Sequence, residues 1–232
     1  LDSFTTWGTQ LFWPFDYRVA IHSIFVIDPI YTLPFLISTI AVLFYKRESQ
    51  IRRRWNRFGI LFSTAYLGIT LLIKTHVNGE ITDSLRRQNV DYERFETRPS
   101  PLNTILWTAN IETKDAFLIS YYSLFDTQPE ILFKKIDKSL HLAESIKETY
   151  NFTRLEYLTK GYYAMSVSGD TLLMNDLRFG QLIGWDESDD DFVFTYQFLP
   201  QSNNNWVVER KPNDMTKAKE AFGDLWTRIK GI

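Results

Sequence analysis

The sequence contains no cysteine and only three histidines, which are His22, His76 and His141. The absence of cysteine excludes disulfide bonds, cysteine-based zinc or iron–sulfur sites and thiol catalysis. The histidines lie far apart, and no two have the spacing that would let one helix present both to a metal ion. Any metal site in this chain must therefore use aspartate, glutamate or single histidines.

An excess of charge of one sign is also lacking. The 232 residues carry 26 basic and 28 acidic side chains, which gives a formal net charge of −2. Nucleic-acid binding usually needs a basic field, so we expect no nucleic-acid partner. The sequence has no glycine-rich phosphate loop, nucleophile elbow or His-Glu-x-x-His pattern either. Common sequence signatures therefore do not identify a reaction.

Two uncharged apolar runs lie near the N-terminus, at residues 29–45 and 58–73. Their lengths approach the roughly 20 residues that a membrane-spanning helix needs. Asp28 and Pro29 form a favourable start for the first helix, because the carboxylate accepts free backbone N–H groups and proline is tolerated in the first turn. We predict a hairpin of two transmembrane helices. A pair of core helices in a soluble protein is the alternative interpretation of runs this short.

The loop between the two runs is strongly basic. By the positive-inside rule this loop is cytoplasmic, which places everything after Lys74 on the extracytoplasmic side. Aromatic residues crowd the segment before the first run, as is typical of a membrane–water interface. The basic residues are Lys46, Arg47, Arg52, Arg53, Arg54 and Arg57, and the aromatic residues are Trp7, Phe12, Trp13 and Phe15.

Beyond Pro99 the pattern changes to short alternating and aromatic runs, which are typical of β-strands. We predict a membrane region at residues 1–75, a connecting helix at 76–98 and a soluble α+β domain at 99–232. The expected strands are joined by short turns, so their sheet should be mainly antiparallel. Helices are predicted at 139–150 and 216–229. An acidic loop at 185–191 lacks the EF-hand pattern, and we interpret it as a solvated loop rather than a calcium site.

Several motifs resemble a known bacterial family. They are residues 1–15 (LDSFTTWGTQLFWPF) followed by Arg18, residues 27–34 (IDPIYTLP), and the stretches 99–107, 121–126 and 176–180. They are similar to membrane-bound, metal-dependent hydrolases, also described as LexA-binding, inner-membrane-associated hydrolases. The resemblance implies a protein of the bacterial inner membrane that uses a divalent metal, zinc or manganese, on a lipid or phosphoester substrate.

The family's metal site also includes a His-Arg-Gly-x-Thr-His-Ser motif and a histidine four residues before the aspartate that matches Asp2. Both elements are absent here, so we expect an N-terminally truncated chain whose missing helices would be its partners, together with membrane lipid. The resemblance implies Asp2 as a metal ligand and Asp28 as a second ligand or as a residue that orients one. The candidates for binding an anionic substrate group are Thr5, Thr6, Gln10 and Arg18.

Structural roles remain open for the same residues. Asp2 and Asp28 would then only cap helices, and Arg18 would only anchor the chain at lipid headgroups. Two functions follow. The first is a metal-dependent hydrolase acting at the membrane face. The second is a non-enzymatic, membrane-anchored binding or regulatory protein in which residues 99–232 are the functional part.

Overall fold

The computed structural model describes residues 1–15, 17–128, 130–181, 191–201, 206–212 and 223–231. The chain forms two compact units. The N-terminal unit comprises Leu1–Ser84 and Thr97–Trp107, and the C-terminal unit comprises Leu85–Glu96 and Thr108–Ile232.

Two helices dominate the N-terminal unit, α1 at Pro29–Phe44 and α2 at Gln50–Arg87. A short 3-10 turn at Asp2–Phe4 precedes them. Helix α1 begins where the sequence predicts, because the Asp28 carboxylate accepts the backbone N–H groups of Ile30 and Tyr31 at 2.8 and 3.0 Å. Pro29 occupies the first helical position, where its missing N–H costs nothing.

Within the described residues, α2 is the one helix whose length and apolar composition suffice to cross a membrane. It includes the apolar run 58–73 and extends beyond that run at both ends. Helix α1 is apolar, but its 16 residues are fewer than the roughly 20 that span a bilayer. By length, the structure supports one spanning helix and one shorter apolar helix.

The predicted connecting helix at 76–98 is helical only as far as Arg87, where α2 ends. Residues Arg94–Pro99 form strand β1 instead. Proline disfavours the helical conformation in the residue before it, which here is Arg98. The extended conformation also lets β1 join a sheet and satisfy its backbone groups there.

Four strands form the first sheet, in the order β1-β2-β3-β4. Strand β2 is Leu106–Glu112, β3 is Ala116–Ser123 and β4 is Lys134–Asp137. Strands β3 and β4 pair antiparallel, with Ala116 opposite Asp137. The turn between β2 and β3 is closed by a hydrogen bond of 2.9 Å from the Thr113 N–H to the Ala116 carbonyl.

The second sheet has the order β5-β6-β7-β8 and is antiparallel throughout. Its strands are Tyr163–Ser168, Thr171–Gln181, Phe192–Pro200 and Trp206–Arg210. Strands β5 and β6 form a hairpin, as expected for strands joined by short turns, and Gly169 adopts φ +58° in its turn. Two antiparallel sheets agree with the α+β class predicted for residues 99–232.

The prediction of a helix at 139–150 is wrong. Leu140–Ala143 forms one 3-10 turn, and α3 occupies Tyr150–Thr159. Ser139 has a left-handed backbone (φ 49°), while Thr149 caps α3 by accepting the Phe152 N–H. The cap therefore starts the helix where the sequence pattern placed its end.

Helix α3 packs against the second sheet. Phe152 and Leu155 contact a buried apolar cluster that includes Met165, Met174 and Phe198.

Of the helix predicted at 216–229, residues 223–229 are helical and the rest lie outside the described residues. The acidic loop at 185–191 also lies outside them, except Asp191, which pairs with Lys211 at 3.1 Å.

Candidate functional site

The segment before α1 folds back on itself and carries most of the predicted site residues. The N–H of Ile21 donates to the Ser3 carbonyl at 2.8 Å, and the N–H of Ser23 donates to the Phe4 carbonyl at 2.8 Å. Thr9 and Val19 exchange two backbone hydrogen bonds of 2.9 Å as an antiparallel bridge. Residues 2–15 and 17–24 thus belong to a folded loop structure and do not form an extended lead into the helix.

Asp2 lies in the 3-10 turn with its side chain exposed, and its carboxylate makes no hydrogen bond within the described part of the chain. Its backbone carbonyl accepts the N–H and the hydroxyl of Thr5 at 3.0 and 2.8 Å. Thr5 is buried, so its hydroxyl closes this turn and does not face solvent. Asp2 therefore keeps a carboxylate that can bind a ligand, whereas Thr5 serves the local fold.

The other predicted anion-binding residues are spread over the same loop structure. The Gln10 side-chain amide donates to the Phe15 carbonyl at 2.9 Å. Thr6 is half-buried, and Arg18 is exposed. The shared role of Thr6, Gln10 and Arg18 in binding an anionic group stays a prediction.

Asp28 is the centre of a buried polar cluster. One carboxylate oxygen, Oδ1, accepts the two N–H groups at the start of α1, and the other, Oδ2, accepts the Tyr66 hydroxyl at 3.0 Å. The Tyr66 hydroxyl also shares a hydrogen bond of 3.1 Å with the Thr104 hydroxyl. Asp28 is only 1% exposed, so these protein donors take the place of water at its carboxylate oxygens.

A polar stripe runs along α2 from this cluster. It consists of Tyr66, Thr70, Lys74 and Asn78, which are four residues apart and therefore share one helix face. The Thr70 hydroxyl donates to Ser23 Oγ at 3.3 Å. The Lys74 ammonium donates to the carbonyl oxygens of His22 and Thr97, at 3.3 and 2.6 Å. The stripe thus attaches the folded N-terminal loop to α2.

Sequence reasoning missed this stripe, although a signal was present. A polar side chain every fourth residue in and beyond an apolar run indicates one face that meets protein rather than lipid. The partner residues carry no such signal, because Thr104 lies 38 positions from Tyr66 and Ser23 lies 47 positions from Thr70.

The metal expected from the family resemblance was tested against these residues. Among the described residues, no group of three His, Cys, Asp or Glu side chains lies close enough to hold a metal ion. Three of the roughly four acceptor sites of the buried Asp28 carboxylate are already used by the Tyr66 hydroxyl and the two α1 N–H groups. The described residues alone therefore do not fit a metal centre.

No curated protein and no solved structure matches the chain. A family model matches the part of the chain that contains the folded loop, α1 and the whole apolar run 58–73 of α2, and this match indicates association with the inner membrane. The similar stretches at residues 99–107, 121–126 and 176–180 lie outside the part that the family model matches. Residues 1–77 match the family described as YdjM inner membrane protein, which confirms the family resemblance over this N-terminal third of the chain.

Proposed function

We propose that this chain is a membrane-anchored protein in which residues 29–45 and 58–73 form a helical hairpin. The observation that carries the proposal is the distribution of side chains on the two helices. Large apolar residues point outward and polar or small residues point inward, the reverse of a soluble protein. The outward residues are Ile30, Leu33, Leu36, Ile37, Ile40, Leu43 and Phe44 on α1 and Phe58, Ile60, Leu61, Ile69 and Leu72 on α2.

The inward positions support the same proposal. Ser38, Ser63 and Thr70 are buried, although each lies in an apolar helix. Their hydroxyl groups bond to nearby carbonyl oxygens, as the Ser38 hydroxyl does with Pro34 at 2.7 Å. Gly59 brings the two helices close, because a Cβ there would stand 2.8 Å from the Ser38 Cβ. Small residues at the contact are how helices associate in lipid, where no hydrophobic effect drives them together.

The orientation follows from the basic segment between the helices. Arg53, Arg54 and Arg57 are exposed in the first turns of α2, and Lys46 and Arg47 are exposed just before it. This segment would stay in the cytoplasm, so that residues 99–232 lie on the extracytoplasmic side. An aqueous domain there would meet solutes and lipid headgroups at the outer face of the membrane.

Cysteine labelling tests this topology directly, since the chain has no cysteine of its own. Glu48→Cys places a thiol in the basic segment, and Asp170→Cys places one in the exposed β5–β6 turn. In cells with a permeabilised outer membrane, an impermeant maleimide should label the second variant and should label the first only after lysis. The reverse labelling pattern would overturn the orientation, and recovery of the protein in the soluble fraction would overturn the anchoring.

Within this topology, a non-enzymatic binding or regulatory role fits the geometry best. Both Asp28 oxygens serve the helix start and the Tyr66 hydrogen bond, and the described residues do not collect three metal-binding groups. The N-terminal unit would then act as an anchor with an ordered loop, and the C-terminal unit would be the part that meets a ligand.

A metal-dependent hydrolase acting on a lipid or phosphoester is the second candidate, and the exposed carboxylate of Asp2 favours it. The test uses the protein purified in detergent, with Asp2→Ala as the variant and Asp170→Ala as the matched control. Stoichiometric zinc or manganese and hydrolysis of a phospholipid, both lost only in Asp2→Ala, would establish the hydrolase. Equal metal content in all three proteins, with no hydrolysis, would establish the binding role.

A further inference from the structure

A small cavity of about 280 Å³ lies in the C-terminal unit, between α3 and strands β7 and β8. It is outside the segment that matches the known family. Its lining combines two arginines, a tyrosine, a glutamate and apolar side chains. They include Arg154, Leu155, Tyr196, Val208, Glu209 and Arg210.

The second sheet places these residues together. Tyr196 on β7 lies directly opposite Arg210 on β8, and Phe198 lies opposite Val208. Side chains two positions apart along a strand point to the same face, so Tyr196, Val208 and Arg210 share one face of the sheet. Leu155 on α3 belongs to the apolar cluster that packs against this face. Helix and sheet thus provide an apolar base with a polar edge.

No carboxylate among the described residues forms an ion pair with either arginine. Arg154 contacts the Tyr150 hydroxyl at 3.3 Å, and the Arg210 guanidinium lies 4.3 Å from the centre of the Phe194 ring. Glu209 also lines the cavity. With two positive side chains and one negative one, the cavity carries a net positive charge that favours an anion.

Tyr196 adds a neutral hydrogen-bond donor. Its ring is half-buried, and its hydroxyl makes no hydrogen bond to the residues described. Burial raises the pKa of Tyr196, and the nearby charge of Asp176 acts in the same direction, against the opposing effect of Arg178 and Arg210. The phenol therefore keeps its proton at neutral pH, and its O–H group can donate a hydrogen bond to an anionic oxygen.

We propose that this cavity binds a small amphiphilic carboxylate. The guanidinium groups of Arg154 and Arg210 and the Tyr196 hydroxyl contact the carboxylate, and Leu155 and Val208 contact the apolar part. Guanidinium groups are well matched to carboxylates because their N–H donors form a planar fork. The volume lies near the lower end for ligand sites, so the ligand is small. The site deepens the proposed binding role but does not depend on the membrane topology.

The experiment uses the full chain in phosphatidylcholine nanodiscs and 4-(trifluoromethyl)phenylacetate as the probe, observed by ¹⁹F NMR line broadening. Empty nanodiscs give the background, and 2-[4-(trifluoromethyl)phenyl]ethanol is the uncharged analogue. We expect saturable binding of the carboxylate that weakens with added salt, and no saturable binding of the alcohol. Octanoate should displace the probe at lower concentrations than acetate does.

Variants assign the contacts. Arg154→Gln and Arg210→Gln should each weaken probe binding about tenfold, since each removes a charge-assisted hydrogen bond. Tyr196→Phe should weaken it about threefold to tenfold. Lys135→Gln is the matched control, because it removes one exposed positive charge on β4, away from the cavity, and should bind as the wild type does.

Three results would overturn the proposal. They are equal binding of the carboxylate and the alcohol, unchanged binding by the variant that combines Arg154→Gln with Arg210→Gln, and the absence of saturable binding. If acetate and octanoate displaced the probe equally well, the proposed contacts of Leu155 and Val208 with an apolar part of the ligand would be wrong. Both arginines are exposed, so the variants should fold, and an unchanged circular dichroism spectrum would confirm that they do. The cysteine labelling above is independent of these outcomes.

Discussion

The hydroxyl of Tyr66 donates a hydrogen bond of 3.0 Å to the carboxylate of Asp28, 38 positions earlier in the chain. The same carboxylate caps α1 through its other oxygen. One buried acidic side chain therefore starts one helix and attaches it to the next.

Removing the Tyr66 hydroxyl should destabilise the N-terminal unit. Tyr66→Phe leaves Asp28 Oδ2 without its donor in a buried site, and we expect the free energy of unfolding to fall by about 1–3 kcal/mol. Denaturant unfolding in detergent, followed by tryptophan fluorescence, measures the change. Tyr31→Phe is the matched control on α1, because the Tyr31 hydroxyl has no partner among the described residues. Equal stability of the two variants would contradict the role given to Tyr66.

Two substitutions of Asp28 should show how much stability its carboxylate contributes as the cap of α1. Asp28→Asn keeps an oxygen that can accept the N–H groups of Ile30 and Tyr31, whereas Asp28→Ala loses both the cap and the partner of Tyr66. We expect the alanine variant to lose about 2 kcal/mol of unfolding free energy and the asparagine variant clearly less. The same unfolding assay gives the order, and an alanine variant as stable as the asparagine variant would disprove the capping role.

Replacing two glycines of α2 by alanine should change the stability of the protein in opposite directions. At Gly59 the new Cβ would stand 2.8 Å from the Ser38 Cβ, so the helices must shift apart, at a cost of about 1–3 kcal/mol. At Gly68 no atom lies within 4 Å, so alanine should stabilise the helix by up to about 1 kcal/mol. Melting temperatures of the two variants in the same detergent test the difference. A loss of stability at both positions would show that close packing at Gly59 is not the cause.

Glu112 in the C-terminal unit should make stability depend on acid pH. Its carboxylate accepts hydrogen bonds from Arg94 and Lys138. Burial alone would raise the pKa of Glu112, but the hydrogen bonds and charges of Lys138 and Arg94 outweigh it, so the pKa is lowered from its usual 4.5. The folded state therefore favours the ionised form. This contribution to stability is present above about pH 4.5 and is lost as the pH falls through the lowered pKa.

The variant Glu112→Gln should reduce the free energy of unfolding by about 1 kcal/mol near pH 7 and should show a weaker loss of stability on acidification. Unfolding curves between pH 3 and pH 7 measure both effects. Glu144→Gln is the control, because its ion pair with Lys147 is exposed and contributes little. If the two variants had the same pH profile, the ion pairs of Glu112 would not explain the dependence.

The sequence predicted those features that depend on neighbouring residues. Asp28 and Pro29 start α1 through contacts within three residues, and the turn at Gly169 depends on local backbone freedom. The strands after Pro99 were recognisable because alternation along a short segment reflects one buried face. The family resemblance near the N-terminus has the same basis, since its motifs are contiguous strings that can be read without a fold.

Local patterns failed where a competing local signal or a distant partner decided the structure. The apolar spacing over 139–150 indicated a helix, but the Thr149 cap started α3 at Tyr150 instead. The segment Arg94–Pro99 has weak strand character by itself and becomes a strand by joining the first sheet. Asp28, one of the predicted site residues, lies in a polar cluster, and its partners Tyr66 and Thr104 could not be identified from the sequence.

The sequence by itself thus determined two apolar helices, a basic segment between them, an antiparallel α+β region and a family for residues 1–77. Only the tertiary structure decided that Asp28 meets Tyr66, that Lys74 meets the carbonyls of His22 and Thr97, and that Arg154 and Arg210 line one cavity. The physical reason is separation along the chain. A residue's neighbours fix its backbone preference, whereas contacts across tens of positions exist only after packing has brought the elements together.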